Sequence, residues 1–133
     1  MKKKILIVMA DYYEAISKGL LHNTKKVLQE QFDLISVPGV FEIPVTIAKN
    51  IKKYDGFIAL GCVIKGETPH FDLISKAAID GIMKLSIEYK KPIGNGIITC
   101  LNLKQAMSRQ EKKGQEAAAA LLSVLNPVKV SAE

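Results

Sequence analysis

The stretch GFIALGCVI, residues 56–64, is apolar throughout and has the length of one β-strand. A strand that alternated apolar and polar residues would have one wet face. This one has none, so it belongs inside a sheet covered on both sides. Similar runs lie on either side of it in the chain: KILIVMA at 4–10, FDLISV at 32–37 and PIGNGIITCL at 92–101. Between and after them the apolar spacing changes from strand-like to helical. Residues 14–30 place Ile16, Leu20, Leu21, Val27 and Leu28 on one side of a helix, and 42–54 do the same with Ile43, Ile47, Ala48 and Ile51. Residues 69–88 carry Phe71, Ile74, Ala78, Ile82 and Leu85, and 103–125 form a last helix with an expected break near Gly114. The order βαβαβαβα predicts an α/β fold, a three-layer αβα sandwich around a four-stranded parallel sheet, in one domain spanning 1–133.

Composition fits this reading. The 133 residues are 48% hydrophobic and 24% charged, typical of a globular domain. The opening MKKKILIVMA imitates a signal peptide, but its short apolar run meets the acidic DYYE and is better read as a strand. With no membrane-length apolar segment either, a cytoplasmic protein is expected. Cys62 and Cys100 lie in apolar runs and match no disulfide or CxxC pattern, which predicts buried thiols. The net charge is +6, with the lysines scattered over helices and strand starts and no interleaved aromatics. Neither a nucleic-acid nor a membrane partner is expected from that pattern. Arg109 is the single arginine among 18 lysines, a candidate for a site that needs a planar, permanently charged fork.

Open parallel sheets bind ligands beyond the carboxyl ends of their strands. That rule selects four segments: ADYYE, PGVFE, GCVIKGETPH and TCLN. In the third, Thr68 suits a helix N-cap with Pro69 at the first helical position and His70 in the first turn. The free N–H groups of such a turn attract an anion, phosphate above all, and a histidine beside them suits proton transfer. A plain surface histidine is the competing reading. His22 lies on another helix and no carboxylate–histidine spacing supports a metal site. Neither a P-loop nor a GxGxxG motif is present. Glu42 either stabilises the next helix or accepts hydrogen bonds from a polyol, and Tyr12 and Tyr13 either pack or stack on a planar ring.

Together, VPGVFEIP, GCVIKGETPHFD, PIGNGIITCLNLKQA and the terminal R…KGQEAA resemble the 6,7-dimethyl-8-ribityllumazine synthase family across essentially the whole chain. The resemblance implies a flavodoxin-like sandwich forming homopentamers or multiples of them, with active sites between neighbours. It implies condensation of 5-amino-6-(D-ribitylamino)uracil with 3,4-dihydroxy-2-butanone 4-phosphate, releasing phosphate and water without metal or redox cofactor. By resemblance His70 is the catalytic proton shuttle. Glu67, Thr68 and Arg109 hold the phosphate, and Tyr12 lies beside the pyrimidine. Val40, Phe41 and Glu42 bind the ribityl side, and the backbone of Cys62, Val63 and Ile64 edge-pairs with the uracil. Asn95 is a further contact, and Lys113 and Glu116 match charged positions near the start of the last helix. The chain departs from the family's pattern at Asp11, at Tyr12 and Tyr13, at Asn95 and in a shorter segment after Arg109. A non-catalytic flavin- or pterin-binding protein and a purely structural oligomer are the alternatives. Neither needs both the histidine and the phosphate grip.

Overall fold

The computed structural model describes residues 2–66 and 69–131. Four strands form one parallel sheet: β1 (Ile5–Ala10), β2 (Phe32–Val37), β3 (Gly56–Ile64) and β4 (Ile93–Cys100). The spatial order is β2-β1-β3-β4, so the chain steps outward from β1 to β2 and then returns to the other side of β1. The helices are α1 (Glu14–Val27), α2 (Ile43–Asn50), α3 (His70–Tyr89) and α4 (Leu103–Leu125), with a 3-10 turn at Val40–Glu42 leading into α2.

Alternation along β1 divides the core in two. Ile5, Ile7 and Met9 pack with Ile16 and Leu20 of α1 and Ala117, Ala118 and Leu121 of α4. Leu6, Val8 and Ala10 face the other way, onto Ile43 and Ile47 of α2 and Ala78 and Ile82 of α3. Two covered faces are what the continuous apolar runs require. The αβα sandwich, parallel and four-stranded, is as expected.

The differences are local. Helix α1 stops at Val27 because Leu28 turns extended, at φ −83° and ψ 100°. Pro44 stands in the first turn of α2, and the segment before it closes as a 3-10 turn rather than as the helix start expected at residue 42. Pro69 is the N-cap of α3 and His70 its first residue, one position later than expected. The expected cap, Thr68, lies outside the described residues.

The predicted break at Gly114 is absent, and α4 runs through it. The glycine serves packing instead. A Cβ there would lie 2.7 Å from the Leu20 carbonyl oxygen and 3.1 Å from the Thr24 backbone nitrogen. Thr24 Oγ1 donates to the Leu20 carbonyl of its own helix at 2.8 Å and also lies 3.2 Å from the Gly114 carbonyl, across the α1–α4 contact. Gly114 is thus the point where two helices pack backbone against backbone.

Candidate active site at the carboxyl ends of the strands

The chain reverses its direction of travel across the sheet between β1 and β3, and their carboxyl ends are out of step. The last β1–β3 register pair is Met9 with Leu60. Strand β3 continues through residues 61–64, paired only with β4, from Gly61 with Ile97 to Ile64 with Cys100. Beyond Leu60, therefore, no described strand lies against the β1-side edge of β3. Peptide groups on such an edge keep hydrogen-bonding capacity for a ligand. Cys62, Val63 and Ile64 are the residues that carry it.

Three turns surround this edge. The first follows β1, where Asp11 N–H donates to the Val37 carbonyl at 2.9 Å. Ser17, fully buried on α1, donates from Oγ to the Ala10 carbonyl at 2.6 Å and lies 3.1 Å from the Tyr13 carbonyl. This hydroxyl fixes the turn that carries Tyr12. The Tyr12 ring is 75% exposed and stands edge-on to Tyr13, with centroids 4.8 Å apart and planes at 79°. Tyr13 packs against the core, and burial first, then Tyr12, Cys62 and Cys100, push its phenol above the ordinary value. Of the two tyrosines, Tyr12 is free to offer a flat face and Tyr13 supports it.

The second turn is the 3-10 segment after β2. Val40 is buried and sits over Gly61, where a Cβ would lie 2.7 Å from Val40 Cγ2. The missing side chain at Gly61 lets the turn settle onto the overhanging part of β3. Phe41, 59% exposed, and Glu42 then line an open groove of about 320 Å³ with Pro44, Val45 and Ala77 and Ala78 of α3. The third turn leads from β3 into α3, and His70 begins that helix with an exposed side chain. Glu67 and Thr68 lie outside the described residues.

Arg109 approaches from α4. Its Nη1 donates to the Thr99 carbonyl at 3.4 Å, and Thr99 is the register partner of Val63. Among the described residues no carboxylate pairs with this guanidinium. Lys113 follows one turn along the same side of α4, half-buried. Lys113 and Glu116 stand in the middle of one continuous helix, not near its start, because Gly114 does not break it. Glu116 lies 3.9 Å from Lys112 in an exposed pair.

Asn95 is not brought to the mouth of its own chain. It pairs with Ala59, well back along β4 on the outer edge of the sheet, and its Oδ1 accepts from the Ile97 N–H at 3.0 Å. At about 3.3 Å per residue this is roughly 16 Å short of Cys100. In the fourth segment, TCLN, Asn102 has a structural task. Asn102 caps α4 by accepting from the Gln105 N–H at 2.9 Å, and Gln105 Oε1 accepts from the Leu101 N–H at 2.8 Å. This reciprocal box is written in the sequence as N-x-x-Q at 102–105. Ser17 was missed, since nothing in the sequence marks a mid-helix serine as buried.

The Cys62 thiol is buried, and burial, then the neighbouring Cys100, push it up to about 12. It remains a thiol at neutral pH, which suits a packing role and leaves its peptide group as the chemically useful part. Among the described residues no group of three or more His, Cys, Asp or Glu could hold a metal ion. A larger groove, about 1420 Å³, opens at the other end of the strands around Lys2, Gln29 and Lys52. The exposed tyrosine, the open strand edge, the histidine and the arginine all lie at the carboxyl ends, so we place the candidate site there despite the larger volume opposite.

A family model described as 6,7-dimethyl-8-ribityllumazine synthase matches residues 2–129. Curated relatives carrying that name include a protein of Bartonella tribocorum, 42% identical over 137 residues covering 94% of this chain and 91% of the relative. A protein of Agrobacterium fabrum is 41% identical, covering 93% of each chain. One of Limosilactobacillus reuteri is 39% identical, covering 96% of this chain and 89% of its own.

Proposed function

The chain belongs to the 6,7-dimethyl-8-ribityllumazine synthase family, and from that premise we propose that it condenses 5-amino-6-(D-ribitylamino)uracil with 3,4-dihydroxy-2-butanone 4-phosphate. The observation that carries this reading is the convergence of three turns on the unpaired edge of β3. The uracil is a flat ring with donors and acceptors along its rim. Its rim pairs with the peptide groups of Cys62, Val63 and Ile64, and its face lies against Tyr12. Phe41 and Glu42 receive the ribityl chain, whose hydroxyls donate to the carboxylate, while Val40 holds their turn in place. The butanone phosphate takes the start of α3, where Glu67 and Thr68 hold its phosphate and Arg109 supplies a bidentate fork.

In the reaction the ring amine attacks the ketone and water leaves to form the imine. Loss of a proton and of phosphate follows; the ribityl-bearing nitrogen then attacks the remaining carbonyl, and loss of a second water closes the ring to the lumazine. His70, at the start of the helix that holds the phosphate, moves the protons. Holding the two reactants together supplies much of the rate, and the histidine adds about 10²-fold or more.

The proposal extends to assembly. Leu73, Met83 and Ile87 lie exposed along one side of α3, and Leu101, Leu103 and Met107 are exposed around the start of α4. Apolar surface of this extent suits burial between subunits. A homopentamer, or a multiple of it, accounts for that surface. It also gives Asn95, Arg109 and Lys113 a role: on the outer β4–α4 flank they are placed to complete a neighbour's site.

The test is incubation with both substrates while lumazine absorbance or fluorescence is followed. Product formation well above the spontaneous rate is expected. His70→Ala is expected to slow it about 10²-fold and leave residual activity. A protein that binds the lumazine but forms none above background is a binding protein, and the enzyme reading then fails.

A further inference from the structure

Lysines that are far apart in the sequence are gathered by the topology. In a parallel α/β fold every strand start and every helix end lies at the same pole, opposite the candidate site. Lys2, Lys3 and Lys4 precede β1 and Lys52 and Lys53 follow α2, and all five line the groove of about 1420 Å³. Among the described residues its acidic members are Glu30 and Asp33. Asp33 accepts from the Tyr54 hydroxyl at 2.6 Å. Asp55, nearby, accepts from the Lys4 backbone N–H at 2.7 Å, not from its ammonium. Among the described residues none of the five ammonium groups is in an ion pair. Helix dipoles account for the lysines in last turns, Lys25 and Lys26 of α1 and Lys49 of α2. They do not account for three lysines in front of a strand, which carries little dipole.

We propose that this amino-end groove docks the phosphate backbone of duplex nucleic acid, without regard to base sequence. Charge complementarity selects a polyanion, and the groove's other contents narrow the class. Among the described residues no exposed large apolar side chain and no arginine lines it, whereas protein partners are usually anchored on such groups. Its aromatics, Phe32 and Tyr54, are only half-exposed, and Tyr54 is turned edge-on to Phe57 at 6.0 Å. They offer no platform for the unpaired bases of a single strand. A concave groove with lysines on two walls fits a charged rod better than the flat surface of a bilayer. Lysine without arginine contacts phosphate as a point charge and reads no bases.

The test is fluorescence anisotropy of two labelled duplexes of unrelated sequence, each about 20 base pairs, titrated with the full chain between about 50 and 200 mM salt. Each phosphate neutralised contributes about −0.9 to the log–log salt slope, so four or five contacts weaken binding roughly 150- to 500-fold across that range. The two duplexes should bind alike. The variant Lys2→Gln, Lys3→Gln, Lys4→Gln, Lys52→Gln, Lys53→Gln should bind at least tenfold more weakly with a flattened slope. The control Lys18→Gln, Lys76→Gln, Lys104→Gln, at the other pole, should stay within twofold. Far-UV circular dichroism checks the fold. If the fivefold variant unfolds, the Lys2, Lys3 and Lys4 triple must show the loss on a folded chain. The proposal is overturned by undetectable binding at 50 mM salt, by equal losses in variant and control, or by a folded variant that binds like the parent. It is equally overturned if polyglutamate or phosphatidylglycerol vesicles displace the labelled duplex better than unlabelled duplex does.

Discussion

Replacing Gly114 with alanine would ordinarily strengthen a helix. In an exposed helix interior the exchange gains about 0.8–1.0 kcal/mol. Here the added Cβ would stand 2.7 Å from the Leu20 carbonyl oxygen, 3.1 Å from Asn23 Cβ and 3.1 Å from the Thr24 backbone nitrogen. Two of those neighbours are backbone, so relief requires α1 and α4 to move apart. Overpacking of this kind costs about 1–3 kcal/mol. Separation also loosens the 3.2 Å contact of Thr24 Oγ1 with the Gly114 carbonyl, which costs only part of the ~1 kcal/mol of a hydrogen bond because this hydroxyl keeps its 2.8 Å bond to Leu20. The losses exceed the propensity gain, and a net destabilisation of about 1–2 kcal/mol follows, equivalent to a fall in Tm of roughly 3–8 °C for a chain of this size. Gly19→Ala is the matched control. It too is a helix-interior glycine, but the three atoms nearest its Cβ would all belong to the side-chain amide of Gln110, whose buried Oε1 has no hydrogen-bond partner among the described residues. That side chain can swing aside, so Gly19→Ala should be neutral or stabilising. Urea and thermal unfolding at equal protomer concentration measure both. If Gly114→Ala is as stable as the parent, or if the two variants shift together, the close-packing argument is wrong.

Other expectations concern the site. Gly61→Ala should push Val40 off β3, displace Phe41 and Glu42, and raise KM for the ribitylaminouracil about tenfold; an unchanged KM would show that the turn does not depend on Gly61. Arg109→Lys should raise KM for the butanone phosphate about tenfold with kcat little changed, because one point charge replaces a bidentate fork. Equal KM values for that substrate would remove Arg109 from the phosphate grip. Above pH 9 the unfolded chain sheds the Cys62 proton while the folded chain retains it up to about 12. Stability from this group therefore falls as pH rises between those values. Cys62→Ala should lose that part of the slope in urea midpoints measured from pH 8.5 to 10.5, and an identical slope would refute the assignment.

The layered fold was legible because residues buried on both faces leave no alternative to apolar runs, and strands 32–37 and 56–64 begin and end as read. Gly114 was misread because helix propensity is local, whereas its reason for being glycine is Leu20 and Thr24 on another helix. The described motif residues in turns after strands, Tyr12 and Phe41 among them, fell at the mouth, since chain connectivity alone puts them there. Asn95 did not, because its place depends on β4 being an edge strand and on register, neither of which a single strand's sequence carries. The overhang of β3 past β1 was hidden for the same reason. It arises from a difference between strand lengths and becomes visible only once the pairing is known.

That overhang has an evolutionary consequence. A ring bound through peptide groups is selected by main-chain geometry, which substitutions of neighbouring side chains leave largely intact. If the proposed ring binds there, strand length and the small residue at Gly61 matter more than the identity of each side chain around it. Asp11, Tyr12 and Tyr13 lie on the adjoining turn, where a change of side chain would leave the proposed ring-binding edge of β3 in place. In such a pocket, inserting or deleting one residue in β3 would be more disruptive than several point substitutions around it, because it would turn donors into acceptors along the whole edge.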